Sequence, residues 1–302
     1  MPDLSEIERI INKGIISEAF LKEEIRNDFL VTTERKKIWM ILLDMLIEID
    51  RVCKKNNIKY TLGFGSILGA VRHKGFIPWD DDIDICMPRD DYERFLNLQS
   101  EFQYPYFLQT PYSDKNSAYS WAKLRNASTT MVSRHFAYQE MNHGILIDIF
   151  PYDKWDPSDD KSYDIIKYLA LENSTFMRLT NPNLDESGKK RVQSWAGIDS
   201  INVYETIQKI AQKHNKIDTI FVAVAVCTIY EFNKMLFYKE DFDDIINMEF
   251  EGFLFPVPKG YDRMLKNVYG DYMEFPPVDK RGQWHNDLYI NTEIPYKDYL
   301  HM

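Results

Sequence analysis

The stretch Thr61 to Met87, TLGFGSILGAVRHKGFIPWDDDIDICM, constrains this chain more than any other, because it sets a strand, a glycine turn, a short helix and a second strand in one uninterrupted run. Lys59 to Gly63 predicts a short strand. Gly65-Ser66 then opens a helical pattern through Ile67, Leu68, Ala70 and Val71 that stops at Gly75, with Ser66 as the predicted N-cap. A helix that starts directly after a strand turns its first N–H groups outward, and Gly65 leaves room for a phosphate to approach them, so Gly65 and Ser66 are candidate phosphate-binding residues. Asp82 to Met87 alternates: Asp82 and Asp84 share one strand face, Ile83 and Ile85 the other. Two carboxylates that close repel unless something positive lies between them. Mg²⁺ or Mn²⁺, held by one or two carboxylates and by phosphate oxygens, suits that arrangement. The alternative is a solvated acidic turn leading into an ordinary strand.

Further candidates flank this run. Arg72, His73 and Lys74 end the predicted helix, where they either neutralise a phosphate or answer the helix dipole. Pro88 is placed to begin a helix with Tyr92, Phe95 and Leu96 inside, and Arg89 beside it reaches either a phosphate or a nearby acid. In the strand-like stretch Tyr119 to Thr130, Lys123 and Arg125 share a face, as donor-phosphate ligands or as a solvent-facing edge. Ile145 to Ile149 is apolar except for Asp148, and a lone carboxylate in such a run is costly unless it is metal-bound, paired with a cation such as Arg125, or capping a neighbouring helix.

With 302 residues, 44% of them hydrophobic, the chain can bury a full core and is long for one domain. The expected division is an N-terminal arm over 1–32, a catalytic lobe over 33–155, and a mainly helical lobe over 156–302 that returns to the site. Predicted elements include a helix from Thr33 to Asn56-Asn57, helices over Ser158 to Met177 and Ile198 to Tyr238 separated by the polar stretch Asn181 to Gly197, a hairpin over Met248 to Val257 turning at Glu251-Gly252, and a short helix ending at Tyr269-Gly270. A net charge of −10 argues against a nucleic-acid surface. Cys53, Cys86 and Cys227 are too scattered for a disulfide framework and fit a reducing compartment. The first residues, MPDLSEIERI, lack the features of a signal peptide. The longest apolar run, Ile220 to Tyr230, falls short of the ~20 residues that span a bilayer. A cytoplasmic protein is expected.

Apolar-Gly-Ser, then Asp82-x-Asp84, then a later apolar-Asp-apolar strand resembles the nucleotidyltransferase superfold. More narrowly, GSILGAVRHKGFIPWDDDIDICMPRDDYERF is similar to the signature of the LicD family, and WAKLRN (Trp121 to Asn126), ILIDIFPYD (Ile145 to Asp153) and FPVPKGYDRMLKNVYGDYMEFPP (Phe255 to Pro277) extend the likeness. Phe64-Gly65-Ser66 departs from the Gly-Gly-Thr of many relatives but keeps the turn and the hydroxyl. The resemblance implies an α/β fold with a mixed sheet and flanking helices. It implies a metal-dependent transferase in which Asp82, Asp84 and Asp148 are catalytic and metal-binding, Asp148 being either a ligand or the base for the acceptor hydroxyl. The implied donor is CDP-choline, CDP-glycerol or CDP-ribitol, with CMP leaving. The implied acceptor is a sugar hydroxyl of a teichoic acid, capsular or lipopolysaccharide precursor at the inner face of the cell membrane. With choline as the alcohol, Trp79, Tyr152, Trp155 and Trp284 are candidate contacts for its quaternary ammonium, or else packing residues; with a polyol, Asn126, Gln283 and Asn286 are candidates. Two other readings are a nucleotidyltransferase that releases pyrophosphate and a silent binding protein of the same fold.

Overall fold

A computed structural model describes residues 4–117, 119–134, 136–137, 139–179, 200–228, 231–282 and 287–300. The long helix α2 (Thr33–Asn56) begins where the Thr32 hydroxyl accepts the Arg35 N–H at 3.3 Å. It ends at Asn57, which takes the left-handed conformation at φ 51°, a role asparagine tolerates better than most residues. Trp39, Leu42, Leu43, Met45, Leu46 and Ile49 are fully buried on it. The helix α1 (Glu6–Asn12) is tied to α2 through Arg9 and Lys13, which both bond the Asp44 carboxylate. The N-terminal segment is therefore part of the packed structure.

The strands are β1 (Glu24–Arg26), β2 (Phe29–Val31), β3 (Thr61–Leu62), β4 (Asp84–Pro88), β5 (Tyr106–Gln109), β6 (Ala122–Asn126), β7 (Thr130–Ser133), β8 (Ile145–Lys154), β9 (Phe221–Ala223), β10 (Leu236–Tyr238), β11 (Ile245–Phe250), β12 (Phe253–Pro258) and β13 (Asp287–Asn291). The remaining helices used below are α3 (Phe64–His73), α4 (Arg89–Leu96), α5 (Asp160–Leu179), α6 (Ser200–Ala211) and α7 (Tyr261–Tyr269). The ten-residue β8 organises the main sheet. One edge pairs in parallel with β4, which pairs antiparallel with β3; the other edge pairs antiparallel first with β6 and then with β9, and β10 follows β9. The result is a mixed α/β architecture. Alternation along β8 sends Ile145, Ile147 and Ile149 into the core, while Leu146, Asp148 and Phe150 take the opposite face.

Two sequence expectations are corrected. Ile198 to Tyr238 is not one helix: α6 ends at Ala211, and the following apolar segment forms β9 and β10 on the sheet edge. A short apolar run such as Phe221 to Val226 is compatible with either state, and the unpaired edge of β8 decides it. The helix α3 starts at Phe64 with Gly63 as its N-cap, so Ser66 lies inside the first turn. The hairpin and the short C-terminal helix are as expected, with Glu251 and Gly252 both at positive φ in the turn between β11 and β12. Residues of all three expected segments, from Ile7 through Ile147 to Leu265, belong to one connected hydrophobic core. Asn181 to Gly197 lies outside the described residues. Among those described, no helix is long and apolar enough to cross a membrane.

Candidate functional site

Strand register builds the site. Asp84 of β4 stands opposite Asp148 of β8, and Asp148 stands opposite Lys123 of β6. Paired residues on adjacent strands present their side chains to the same face, so Asp84, Asp148 and Lys123 form one row across three strands. The Lys123 ammonium and the Trp121 indole N–H, the latter at 2.5 Å, both donate to Oδ1 of Asp148. Lys123 is 3% exposed, with its ammonium 3.9 Å from the Tyr119 ring centroid and 5.1 Å from that of Trp121. Burial lowers the pKa of Lys123, and the neighbouring Asp148 carboxylate works against that shift. Asp82 precedes β4 and is half-buried.

The turn before α3 is locked onto this row. The Gly63 N–H donates to the Asp84 carbonyl at 2.8 Å, and the Asp84 N–H donates to the Ser66 hydroxyl at 2.9 Å. Ser66 therefore positions the carboxylate strand. A side chain at Gly63 would meet the Cys86 sulfur at 3.0 Å and the Asp84 β-carbon at 3.4 Å, so the close approach of turn and strand calls for glycine. At Gly65, where a phosphate is expected, an added β-carbon would lie 3.4 Å from Asp80 Oδ2. An acidic side chain thus already stands beside the positive end of the helix.

Several predicted cations are engaged elsewhere. Arg72 donates to the carbonyls of Tyr272 and Glu274 at 2.7 and 3.1 Å, and so clasps the segment after α7. His73 bonds Asn27 and Arg72, and burial beside the Arg72 charge pushes it down to about 3. Lys74 is exposed and lies 3.8 Å from Glu249. Arg89 makes a two-pronged buried pair with Asp153 at 2.9 and 2.6 Å and also bonds Gln208. Arg125 is 1% exposed and donates to Gln109 and to the Gly144 carbonyl. Of the two cations predicted to share a face on β6, only Lys123 joins the carboxylate row.

The three described aromatic candidates, Trp79, Tyr152 and Trp155, do not form one rim. Trp79 is buried before β4 against Phe29, His73 and Phe275. Trp155 is fully buried just beyond β8, against His214 and Phe232. Because β4 and β8 run parallel with Asp84 beside Asp148, these two tryptophans lie toward opposite ends of the strand pair. Tyr152 stacks on Phe242 with ring centroids 4.4 Å apart. Of the polyol candidates, Asn126 is buried and donates to Glu6 at 2.5 Å. Trp284, Gln283 and Asn286 lie outside the described residues.

Residues 57–180 match the family described as LicD/FKTN/FKRP, nucleotidyltransferase domain. They are a LicD-family nucleotidyltransferase domain. The chain is 29% identical to the lipopolysaccharide cholinephosphotransferase LicD of Haemophilus influenzae over 83% of its own length and 96% of that protein. It is 30% identical to an uncharacterized protein of Rickettsia prowazekii over 53% of its length and 60% of that relative, and 40% identical to one of Rickettsia typhi over 20% of each.

The LicD domain contains the whole row together with Gly63, Ser66 and Asp82. Among the described residues, no group of three or more His, Cys, Asp or Glu side chains forms a metal cage. Side-by-side Asp84 and Asp148 nevertheless fit a hard cation that takes one or two carboxylates and completes its shell with phosphate oxygens and water. Trp121 and Tyr119, which flank Lys123, were not singled out from the sequence. Alternation along β6 already places Trp121 on the face of Lys123, whereas the bond from its indole to Asp148 depends on the register between β6 and β8.

Proposed function

We propose that this protein transfers a phosphorylated alcohol, with phosphocholine favoured, from a CDP-activated donor to a hydroxyl of a cell-surface glycan such as lipopolysaccharide. CMP is the leaving group. The observation that carries the reading is the row of Asp84, Asp148 and Lys123 within a LicD domain, supported by the cholinephosphotransferase of Haemophilus influenzae over nearly the full length of that relative. Asp84 and Asp148, with Asp82, would hold Mg²⁺ or Mn²⁺, which when bound would neutralise charge on the donor phosphates. Ser66 fixes the strand that carries Asp84. Lys123 brings a positive charge to the same floor, so that the doubly charged pyrophosphate bridge of the donor meets cations as well as carboxylates. Asp148 remains either a metal ligand or the group that takes the proton of the acceptor hydroxyl. The lipid-linked acceptor would be met at the inner face of the cell membrane.

The test is incubation with Mg²⁺ or Mn²⁺, a lipopolysaccharide acceptor, and CDP-choline, CDP-glycerol, CDP-ribitol or nucleoside triphosphates, with CMP and pyrophosphate measured separately. Acceptor-dependent CMP release that is fastest with CDP-choline is expected. Pyrophosphate release from a triphosphate with no CMP from any CDP-alcohol would overturn the reading.

A further inference from the structure

Asp148 is not a bare carboxylate waiting for a ligand. Lys123 and Trp121 both bond its Oδ1, and among the described residues its Oδ2 takes no hydrogen bond. Lys123 is held in place from several sides: it is 3% exposed, its ammonium lies over the Tyr119 ring, and register places it directly across from Asp148. Its charge also acts on Asp84, the next residue of the row. A lysine therefore already stands among the carboxylates of Asp84 and Asp148, with Asp82 two residues before Asp84.

We propose that Lys123 is a built-in cation that takes the place of a second metal, so that Asp82, Asp84 and Asp148 together hold a single divalent ion. This inference rests on the metal-dependent reading given above and assigns the positive charge within it. Asp82, Asp84 and Asp148 less the charge of Lys123 leave two negative charges, which one divalent ion balances, so little charge remains for a further ion. The lysine also weakens binding of the first ion, because like charges repel across a poorly solvated floor. Weaker binding of the resident ion is the expected cost of a cationic side chain built into the floor, which needs no metal to be loaded.

The experiment counts Mn²⁺ bound to the full-length protein by electron paramagnetic resonance of the free ion, for wild type and for Lys123→Met. Melting temperature with and without Mn²⁺ is recorded on the same samples. Lys123→Gln replaces Lys123→Met if the latter fails to fold. One ion per chain in wild type, and binding tighter by about tenfold or more in the variant, is expected. Mn²⁺ should then raise the melting temperature of the variant more than that of wild type. Two ions in wild type overturn the proposal while leaving metal dependence intact, as does equal or weaker binding in the variant. No binding to wild type at millimolar Mn²⁺, with or without CDP-choline, overturns both this proposal and the metal-dependent reading beneath it.

Discussion

Replacing Asp148 by Asn removes one negative charge and leaves the Lys123 ammonium in a site where it is 3% exposed. Breaking a buried pair in this way costs roughly 3–5 kcal/mol, because the remaining charge has neither water nor a partner. An upper limit follows from the lysine itself, which can give up its proton. For an ordinary lysine pKa of about 10.4, neutralisation at pH 7 costs about 4.6 kcal/mol at about 1.36 kcal/mol per pH unit, so the loss should not exceed that. The expected destabilisation lies between about 3 and about 4.6 kcal/mol. Burial already lowers the Lys123 pKa in the native protein, and loss of the carboxylate lowers it further. Between the folded-state and unfolded-state values the unfolded chain binds more protons, so stability of the variant should rise with pH up to about pH 10. Urea unfolding at pH 7 and pH 9, with CMP release measured on the same preparations, is the assay. Asp148→Asn should be inactive, less stable at pH 7 and partly recovered at pH 9. Adding Lys123→Met should restore most of the stability and none of the activity. Wild-type stability in the single variant, or no recovery in the double variant, would refute the buried-charge argument; wild-type turnover in Asp148→Asn would refute its role in the reaction.

Ser66→Ala deprives the Asp84 N–H of its acceptor and should cost about 1–3 kcal/mol, whereas Ser66→Thr keeps the hydroxyl; urea midpoints and turnover should rank the two in that order. Arg89→Ala leaves Asp153 buried without its two-pronged partner and should destabilise by roughly 3–5 kcal/mol, while Glu93→Ala, on the exposed side of the same arginine, should change stability by less than about 1 kcal/mol. Gly144→Ala would force a β-carbon to within 2.0 Å of the Asn126 carbonyl oxygen; since backbone cannot move aside cheaply, a loss of about 3 kcal/mol or failure to accumulate folded protein is expected. Removing divalent metal with a chelator should abolish CMP release, and Mn²⁺ or Mg²⁺ should restore it; full turnover in chelator would exclude the metal.

Local chemistry made much of this fold legible from sequence. Thr32 and Asn57 bound α2 because a hydroxyl accepts a first-turn N–H and asparagine tolerates the left-handed conformation. Gly252 marks the turn of the β11–β12 hairpin because glycine takes positive φ freely, whereas Glu251 takes it at φ 49° against the usual preference of a non-glycine residue. The apolar run around Asp148 announced a carboxylate with a partner, and the register of β4, β6 and β8 identified that partner as Lys123, on a strand more than twenty residues away. Nothing local distinguished Lys123 from Arg125: both lie on one face of β6, and only the tertiary structure buries Arg125 against Gln109 and Gly144 while setting Lys123 on Asp148. Arg89 likewise looked available for a phosphate until β8 brought Asp153 to it. The apolar segment that became β9 and β10 carried no periodicity strong enough to choose between helix and strand, and the free edge of β8 made the choice. Sequence by itself determined which groups this chain has for its chemistry and which local elements carry them. Strand pairing decided which of those groups meet, because a contact between distant residues depends on register and burial that no short window of sequence contains.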